Sequence, residues 1–205
     1  MSRLVIASNN PGKLREFAAL LAPLAFESVA QAALGIAEVD EPHATFVENA
    51  LAKARHASAA SGLAALADDS GLCVDALDGL PGVRSARYAD VDPADASRST
   101  QDRRNNARLI TTLAGETRRD AHYVCVLVFM RRPHDPEPIV ATGRWNGRIV
   151  DVPRGDGGFG YDAHLLLPEL GVTAAELDLP TKNRVSHRAI ALRRLVDALR
   201  EGAGR

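Results

Sequence analysis

Two carboxylates stand side by side at the end of an apolar run, in Ala67-Asp68-Asp69-Ser70-Gly71. Such a pair is costly unless it is solvated, capped or bound to a cation. Oxygen ligands of this kind suit Mg²⁺, and an Asp-Ser-Gly turn is the plainer alternative. In extended backbone neighbouring side chains point to opposite faces. The two aspartates are therefore not expected to hold one ion together, and one of them should be structural. A second segment, Ser8-Asn9-Asn10-Pro11-Gly12-Lys13, runs from an apolar strand through a tight turn into a helix. Backbone N–H groups and the positive end of the helix dipole favour an anion such as phosphate there, and Lys13 adds a point charge. The Walker A spacing is absent, so an ordinary capped turn is the competing reading.

Two further segments carry polar chemistry. The acidic stretch with Glu38, Asp40 and Glu41 precedes a helix on which Asn49, Lys53 and His56 share one face; a solvated polar face is the plain alternative. Near the C-terminus, Gly158-Phe159-Gly160-Tyr161-Asp162 sets two aromatic rings on a glycine frame, and Lys182-Asn183-Arg184-Val185-Ser186-His187-Arg188 leads into the last helix. An aromatic face can stack on a base, and arginine can hydrogen-bond a base edge. Lysine occurs only at positions 13, 53 and 182, while arginine supplies the rest of the 25 basic side chains. Each of the three lysines falls in one of these segments, and a compact ammonium is not interchangeable with a planar guanidinium.

The elements that must position these residues follow from apolar periodicity. Arg3 to Ser8 reads as a short buried strand, and Leu14, Phe17, Leu20, Leu21 and Leu24 give the next helix one apolar stripe. Phe26 to Val29 is a second strand, and Gln31 to Ala44 reads as irregular. Thr45 followed by Glu48 is a capping box, opening a helix that Gly62 ends. Leu63 to Ala67 is a strand, which Asp68 to Gly71 interrupts before Leu72 to Leu77 resumes it. A polar loop from Asp90 leads into a helix over about Thr100 to Leu113. His122 to Arg131 is the strongest strand signal, and Ile139 to Val150 its partner. A glycine-rich loop, Asp151 to Gly160, precedes an extended segment, Ala163 to Leu167, and the last helix begins near Val185 with Ser186 as a possible cap. The pattern predicts an α/β fold with a mixed sheet.

Composition bounds the function. The chain has 205 residues, 46% apolar and 25% charged, which fits one domain over residues 1–205 with a core that needs no disulfide or structural metal. A net charge of -1 disfavours a general cationic face for nucleic acid. Cys73 and Cys125 form no C-x-x-C pair, which points to reduced thiols in the cytoplasm. No apolar run approaches the roughly 18 to 20 residues of a membrane span, and Leu4 to Ala7 is too short for a signal-peptide core.

Taken together, Ser8–Lys13, Thr45–Ala50 with Lys53-Ala54, Ala67–Leu72, Pro81–Val83 with Ser85–Tyr88, Gly158–Asp162 and Ser186–Arg188 closely resemble the inosine triphosphate pyrophosphatase family, the non-canonical purine nucleoside triphosphate (dITP/XTP) diphosphatases. The resemblance runs from Ser8 to about Leu199. It implies hydrolysis of ITP, dITP and XTP to the monophosphate and pyrophosphate, which cleanses the nucleotide pool. It also implies Mg²⁺, a homodimer, and a long mixed sheet flanked by helices with a nucleotide cleft between two lobes. Carried over by position, Ser8, Asn9, Asn10, Pro11, Gly12 and Lys13 form the phosphate loop, with Lys53 beside the phosphates. Asp69 and Glu41 are the metal ligands, with Asp40 as the alternative to Glu41, and Asp69 is the general base. Ser70 lies beside the nucleotide, and Phe159, Gly160, Tyr161, Asp162, Lys182, His187 and Arg188 are the remaining nucleotide-binding residues. Ala163 departs from the proline common at that place, which should loosen the loop slightly. Donors from Arg188 or His187 would favour the 6-carbonyl of hypoxanthine and xanthine over the 6-amino group of adenine, with Phe159 stacking on the base. The rival expectations are a non-catalytic purine nucleotide-binding module and a pyrophosphatase for other modified nucleotides. An RNA-binding role lacks the aromatic-rich strand it would need.

Overall fold

The computed structural model describes residues 2–21, 26–90 and 97–203, apart from the side chains of residues 2, 19, 20, 202 and 203. In chain order the strands are β1 (Ser2–Ile6), β2 (Phe26–Ala30), β3 (Ala64–Val74), β4 (Asp120–Met130), β5 (Ile139–Ile149), β6 (Leu165–Leu167) and β7 (Val172–Thr173). The helices are α1 (Pro11–Leu21), α2 (Phe46–Ser61), α3 (Arg98–Thr112), α4 (Leu179–Val185) and α5 (His187–Ala203). One sheet of seven strands runs in the order β2-β1-β3-β4-β5-β6-β7. β1 pairs parallel with β2 and β3, whereas β6 pairs antiparallel with β5 and β7. This is the mixed sheet that the strand-helix units and the long hairpin predict, flanked by helices as the family resemblance implies. Among the described residues no helix is long and apolar enough to cross a membrane.

The chain forms two compact units. The first comprises Met1–Asp69, Cys125–Gly143 and His187–Arg205, and the second Ser70–Val124 and Arg144–Ser186. The first unit's core gathers Leu4, Ile6, Phe17, Leu21, Leu66, Leu127, Phe129, Leu192 and Leu195. Of the stripe predicted on α1, Phe17 and Leu21 are buried and Leu14 packs against them; Leu24 and the side chain of Leu20 lie outside the described residues. The second unit's core gathers Leu72, Val74, Leu109, Leu113, Tyr123, Trp145, Tyr161 and Leu165.

Local signals act where they are read. Thr45 Oγ1 accepts the Glu48 N–H at 3.4 Å, an N-cap of the kind worth about 1 kcal/mol, and the Glu48 carboxylate takes the Thr45 hydroxyl at 2.6 Å in place of the backbone N–H that a capping box would use. Three expectations change. β3 is continuous through Asp68–Gly71, because buried partners take up both carboxylates and extended backbone is kept. A short 3-10 turn, Gln31–Leu34, lies inside the stretch read as irregular. An additional helix, α4, whose first turn is capped by Asp178 on the Thr181 N–H at 2.7 Å, precedes the last helix, and α5 begins at His187, close to the predicted start, with Ser186 in extended backbone just before it. The predicted loop after Asp90 falls largely on residues 91–96, outside the described residues.

β5 alternates buried and exposed side chains, and Gly143 is one of its inward positions. There the strand meets the backbone of α5 so closely that a Cβ on Gly143 would strike the His187 carbonyl and come within 2.6 Å of the Ala191 nitrogen. Backbone cannot swing away as a side chain can. Gly143→Ala is therefore expected to lower the unfolding free energy by about 2 kcal/mol, read as a lower urea midpoint.

Candidate active site

The first unit assembles a charge cluster around the end of β1 and the middle of β3. The turn after β1 is closed by side chains: the Asn10 N–H donates to Ser8 Oγ at 3.2 Å, and Asn10 Oδ1 accepts the N–H groups of Gly12 and Lys13 at 2.9 and 3.3 Å. Asn10 thus caps α1 with its own carboxamide, so two of the amides expected to meet phosphate already have an acceptor. Lys13 points its ammonium to Asp68 Oδ2 at 2.8 Å.

Asp68 and Asp69 take different partners, as alternation along a strand requires. Asp68 is 1% exposed and meets Lys13 and the Arg188 guanidinium, whose Nε lies 3.8 Å away. Arg188 is itself buried, donates to Glu16 on α1, and lies over the Phe17 ring. Burial alone would raise the Asp68 carboxyl, but Lys13, Arg188 and Lys53 outweigh it and hold the group far below the usual carboxylate range.

Asp69 sits in a different field. Its Oδ2 accepts from Asn49 Nδ2 at 3.1 Å, and its Oδ1 is 3.7 Å from the Lys53 ammonium. Burial pushes this carboxyl above its ordinary value, and the like charge of Glu41 adds to the shift against the pull of Lys53 and Lys13. Lys53 reaches Glu41 at 2.5 Å. Burial would lower the Lys53 ammonium, yet Asp68, Asp69 and Glu41 together raise it. Of the two acidic candidates, Glu41 meets this ammonium, whereas Asp40 is exposed.

The polar face of α2 has a definite task. Asn49 Oδ1 accepts the His43 N–H at 3.1 Å, Lys53 binds Glu41, and His56 Nε2–H donates to the Ala37 carbonyl at 3.0 Å. Three residues on one helix face therefore fasten the acidic segment along α2, and Asn49 joins it to Asp69. Sequence reasoning placed Asn49 on this face but not among the site residues. It missed Glu16 altogether, because a single glutamate on an amphipathic helix carries no signal of what it will meet.

The second unit builds a separate group around Phe159. Lys182, one turn into α4, binds Asp162 Oδ2 at 2.6 Å, and both side chains are buried. The same carboxylate oxygen accepts the Phe159 N–H at 2.8 Å, and the Lys182 ammonium lies 5.1 Å from the centre of the half-buried Phe159 ring. The expectation of two presented rings is corrected. Tyr161 is buried in the core, and its hydroxyl donates to the Ser85 carbonyl at 2.8 Å. A tyrosine can be buried in this way when its O–H finds an acceptor. Ser70 lies half-buried on β3 in this unit, while His187 is buried at the start of α5 in the first.

The Asp68 field generates a stability prediction. A carboxyl whose folded pKa lies below its unfolded value of 3.8 contributes stability that is present above that value and lost as pH falls through the folded one. Asp68→Asn leaves Lys13 and Arg188 short of a buried counter-charge. It is expected to cost about 3 kcal/mol at pH 7, with the gap from wild type narrowing below about pH 4. Urea unfolding at a series of pH values measures both.

Comparison with known proteins fits this arrangement. The family model described as Ham1 family matches residues 4–198. The chain is 63% identical over 200 residues to the dITP/XTP pyrophosphatase of Ralstonia nicotianae, covering 98% of each chain. It is 60% identical to the dITP/XTP pyrophosphatase of Burkholderia pseudomallei, covering 98% of this chain and 94% of that one. The solved structure of a HAM1 protein from Coxiella burnetii superposes with a TM-score of 0.88 at 41% identity, covering 98% of this chain and 100% of that one. With a family model matched over nearly its whole length and relatives of this identity, the chain belongs to the Ham1 family.

Proposed function

We propose that this chain is a nucleoside triphosphate pyrophosphohydrolase that converts ITP, dITP and XTP to the monophosphate and pyrophosphate and so cleanses the nucleotide pool. The relatives named dITP/XTP pyrophosphatase support the reaction class. The observation that carries the mechanism is the division of labour on β3. Asp68 is neutralised by two cations, while its neighbour Asp69 keeps a raised pKa. A carboxylate of raised pKa is the better general base near neutral pH.

In the reaction a water oxygen bonds to the α-phosphorus, and the bond from that phosphorus to the α,β-bridging oxygen breaks. Asp69 orients the water and takes its proton, while pyrophosphate leaves with the bridging oxygen. Lys13 and Lys53 oppose the charge on the leaving pyrophosphate. Glu41 and Asp69 bring carboxylate oxygens to one ammonium. No group of three or more His, Cys, Asp or Glu suited to a metal occurs among the described residues, so these two carboxylates would be the chain's contribution to a metal. Mg²⁺ accepts one or two carboxylates where waters and substrate phosphates complete its ligands. When bound by Asp69 and Glu41 it supplies charge neutralisation to the phosphate oxygens.

Base recognition falls to the remaining residues. On the family resemblance, Phe159 is the ring that stacks on the purine, with Lys182 beside it, and a donor from Arg188 or His187 favours a 6-carbonyl over a 6-amino group. Glu16 and Asp68 hold the Arg188 guanidinium in one orientation, the pre-organisation such discrimination needs. The reading extends, on the family resemblance, to a homodimer acting in the cytoplasm.

The test is pyrophosphate release from ITP, XTP, GTP and ATP with Mg²⁺ and with EDTA. Mg²⁺-dependent release from ITP and XTP, with ATP and GTP nearly untouched, is expected. Equal rates on all four would discard the base-recognition account, and tight ITP binding without turnover would favour a binding module. Asp69→Asn is expected to lose at least about a hundredfold in kcat while its thermal unfolding stays close to wild type. Near-normal turnover in that variant would remove Asp69 from the role of base.

A further inference from the structure

The loop that carries Phe159 lies outside the helices and strands, and from Phe159 to Tyr161 its N–H groups are held by side chains. Three consecutive N–H groups each have a side-chain acceptor. Phe159 donates to Asp162 at 2.8 Å, Gly160 to Asp102 Oδ2 at 2.9 Å, and Tyr161 to Tyr123 Oη at 3.2 Å. The Gly160 carbonyl is held as well, by Asn106 Nδ2 at 2.9 Å. Gly160 is therefore gripped on both sides by one helix, since Asp102 and Asn106 stand four residues apart and share a face of α3. Its backbone lies at φ +63, a conformation L side chains rarely adopt, although a Cβ would meet only Tyr123 Oη at 4.0 Å. Glycine is needed here for the conformation and not for space. The conformation in turn presents N–H and C=O to the two α3 side chains.

We propose that Asp102 and Asn106 are positioning residues for base recognition. By clamping the Gly160 backbone between them they fix the plane of the Phe159 ring beside Lys182. Neither touches the phosphates or the reacting atoms in this scheme. The inference rests on the reading of Phe159 as the base-stacking ring. Asp102 is suited to the task because its carboxylate is mostly shielded and its other oxygen lies 3.7 Å from Arg98 Nε, one turn back on α3. The link is mechanical: without the clamp, rotation of the residue 159–160 peptide would release the ring from the place where Asp162 and Lys182 hold it.

The experiment compares Asp102→Ala, Asn106→Ala, Asp102→Asn and Phe159→Ala in steady-state hydrolysis of ITP, with inhibition by inorganic tripolyphosphate, which has no base, measured alongside. Loss of one anchoring hydrogen bond is expected to raise KM for ITP about fivefold in each of the first two variants, with kcat within about twofold of wild type. Asp102→Asn retains an acceptor for the Gly160 N–H and is expected to restore the wild-type KM. Inhibition by tripolyphosphate is expected to stay unchanged. In a Phe159→Ala background, Asp102→Ala should add little, because both changes act through one ring. If KM rises in Phe159→Ala but not in Asp102→Ala or Asn106→Ala, the inference is overturned and the stacking reading stands. If KM is unchanged in Phe159→Ala, the stacking reading fails and takes the inference with it. Tripolyphosphate inhibition weakening in step with ITP binding also overturns it, since a general loss of structure moves both.

Discussion

The arrangement of the first unit depends on a carboxylate that has no business being buried alone. Asp68 lies in the middle of a core strand at 1% exposure, where an unpaired charge would be strongly unfavourable. It is ionised because Lys13 comes from the start of α1 and Arg188 from the start of α5. Those two contacts tie both helices to β3. They also orient the turn after β1, since Lys13 belongs to the segment that Asn10 caps. Glu16 completes the set by giving the second buried charge, Arg188, its own partner. A network of this kind is weak evidence for net stability. Its value is geometric, because the charges can be satisfied in few ways other than this one.

With Asp68 so occupied, Asp69 is set apart by a single step along the strand. The alternation of β3 turns it toward α2, where an amide and one shared ammonium replace the two cations around its neighbour. Two chemically identical side chains thus acquire opposite acidities from their surroundings, the condition for one carboxylate to be structural and the other to move protons. The three lysines follow a common rule. Lys13, Lys53 and Lys182 each contact a buried or half-buried carboxylate, while arginine supplies the other basic side chains. A compact ammonium suits such crowded places, where several oxygens converge on one point.

The second unit solves a different problem, that of holding an irregular loop still. Backbone groups outside helices and sheets must find partners, and here side chains from α3, β4 and the loop itself provide them. The outcome is one half-buried ring, Phe159, beside one buried ammonium. Tyr161, two residues on, turns into the core and anchors the loop from below.

Much of the fold was legible in the sequence because it is written in local patterns. The stripe on α1, the capping box at Thr45, the near-continuous apolar run of β4 and the alternation along β5 each predict an element from residues within one or two turns. The residue types of the candidate site were legible too, since a phosphate-loop turn, paired aspartates and an isolated lysine are unusual in any context. The continuity of β3 and the separate helix α4 were not, because each depends on partners outside its own segment: buried counter-charges in one case, and the core that receives Lys182 in the other. By itself the sequence determined which elements form, which faces they bury and which side chains are available for chemistry. Only the tertiary structure decided which charge meets which. Glu16 and Arg188 lie 172 residues apart, and Asp102 meets Gly160 across 58. Contacts of that range leave no periodic trace in a single chain; they exist only once the packed cores have brought the elements together, and it is those contacts that fix Arg188 beside Asp68 and hold the Phe159 loop.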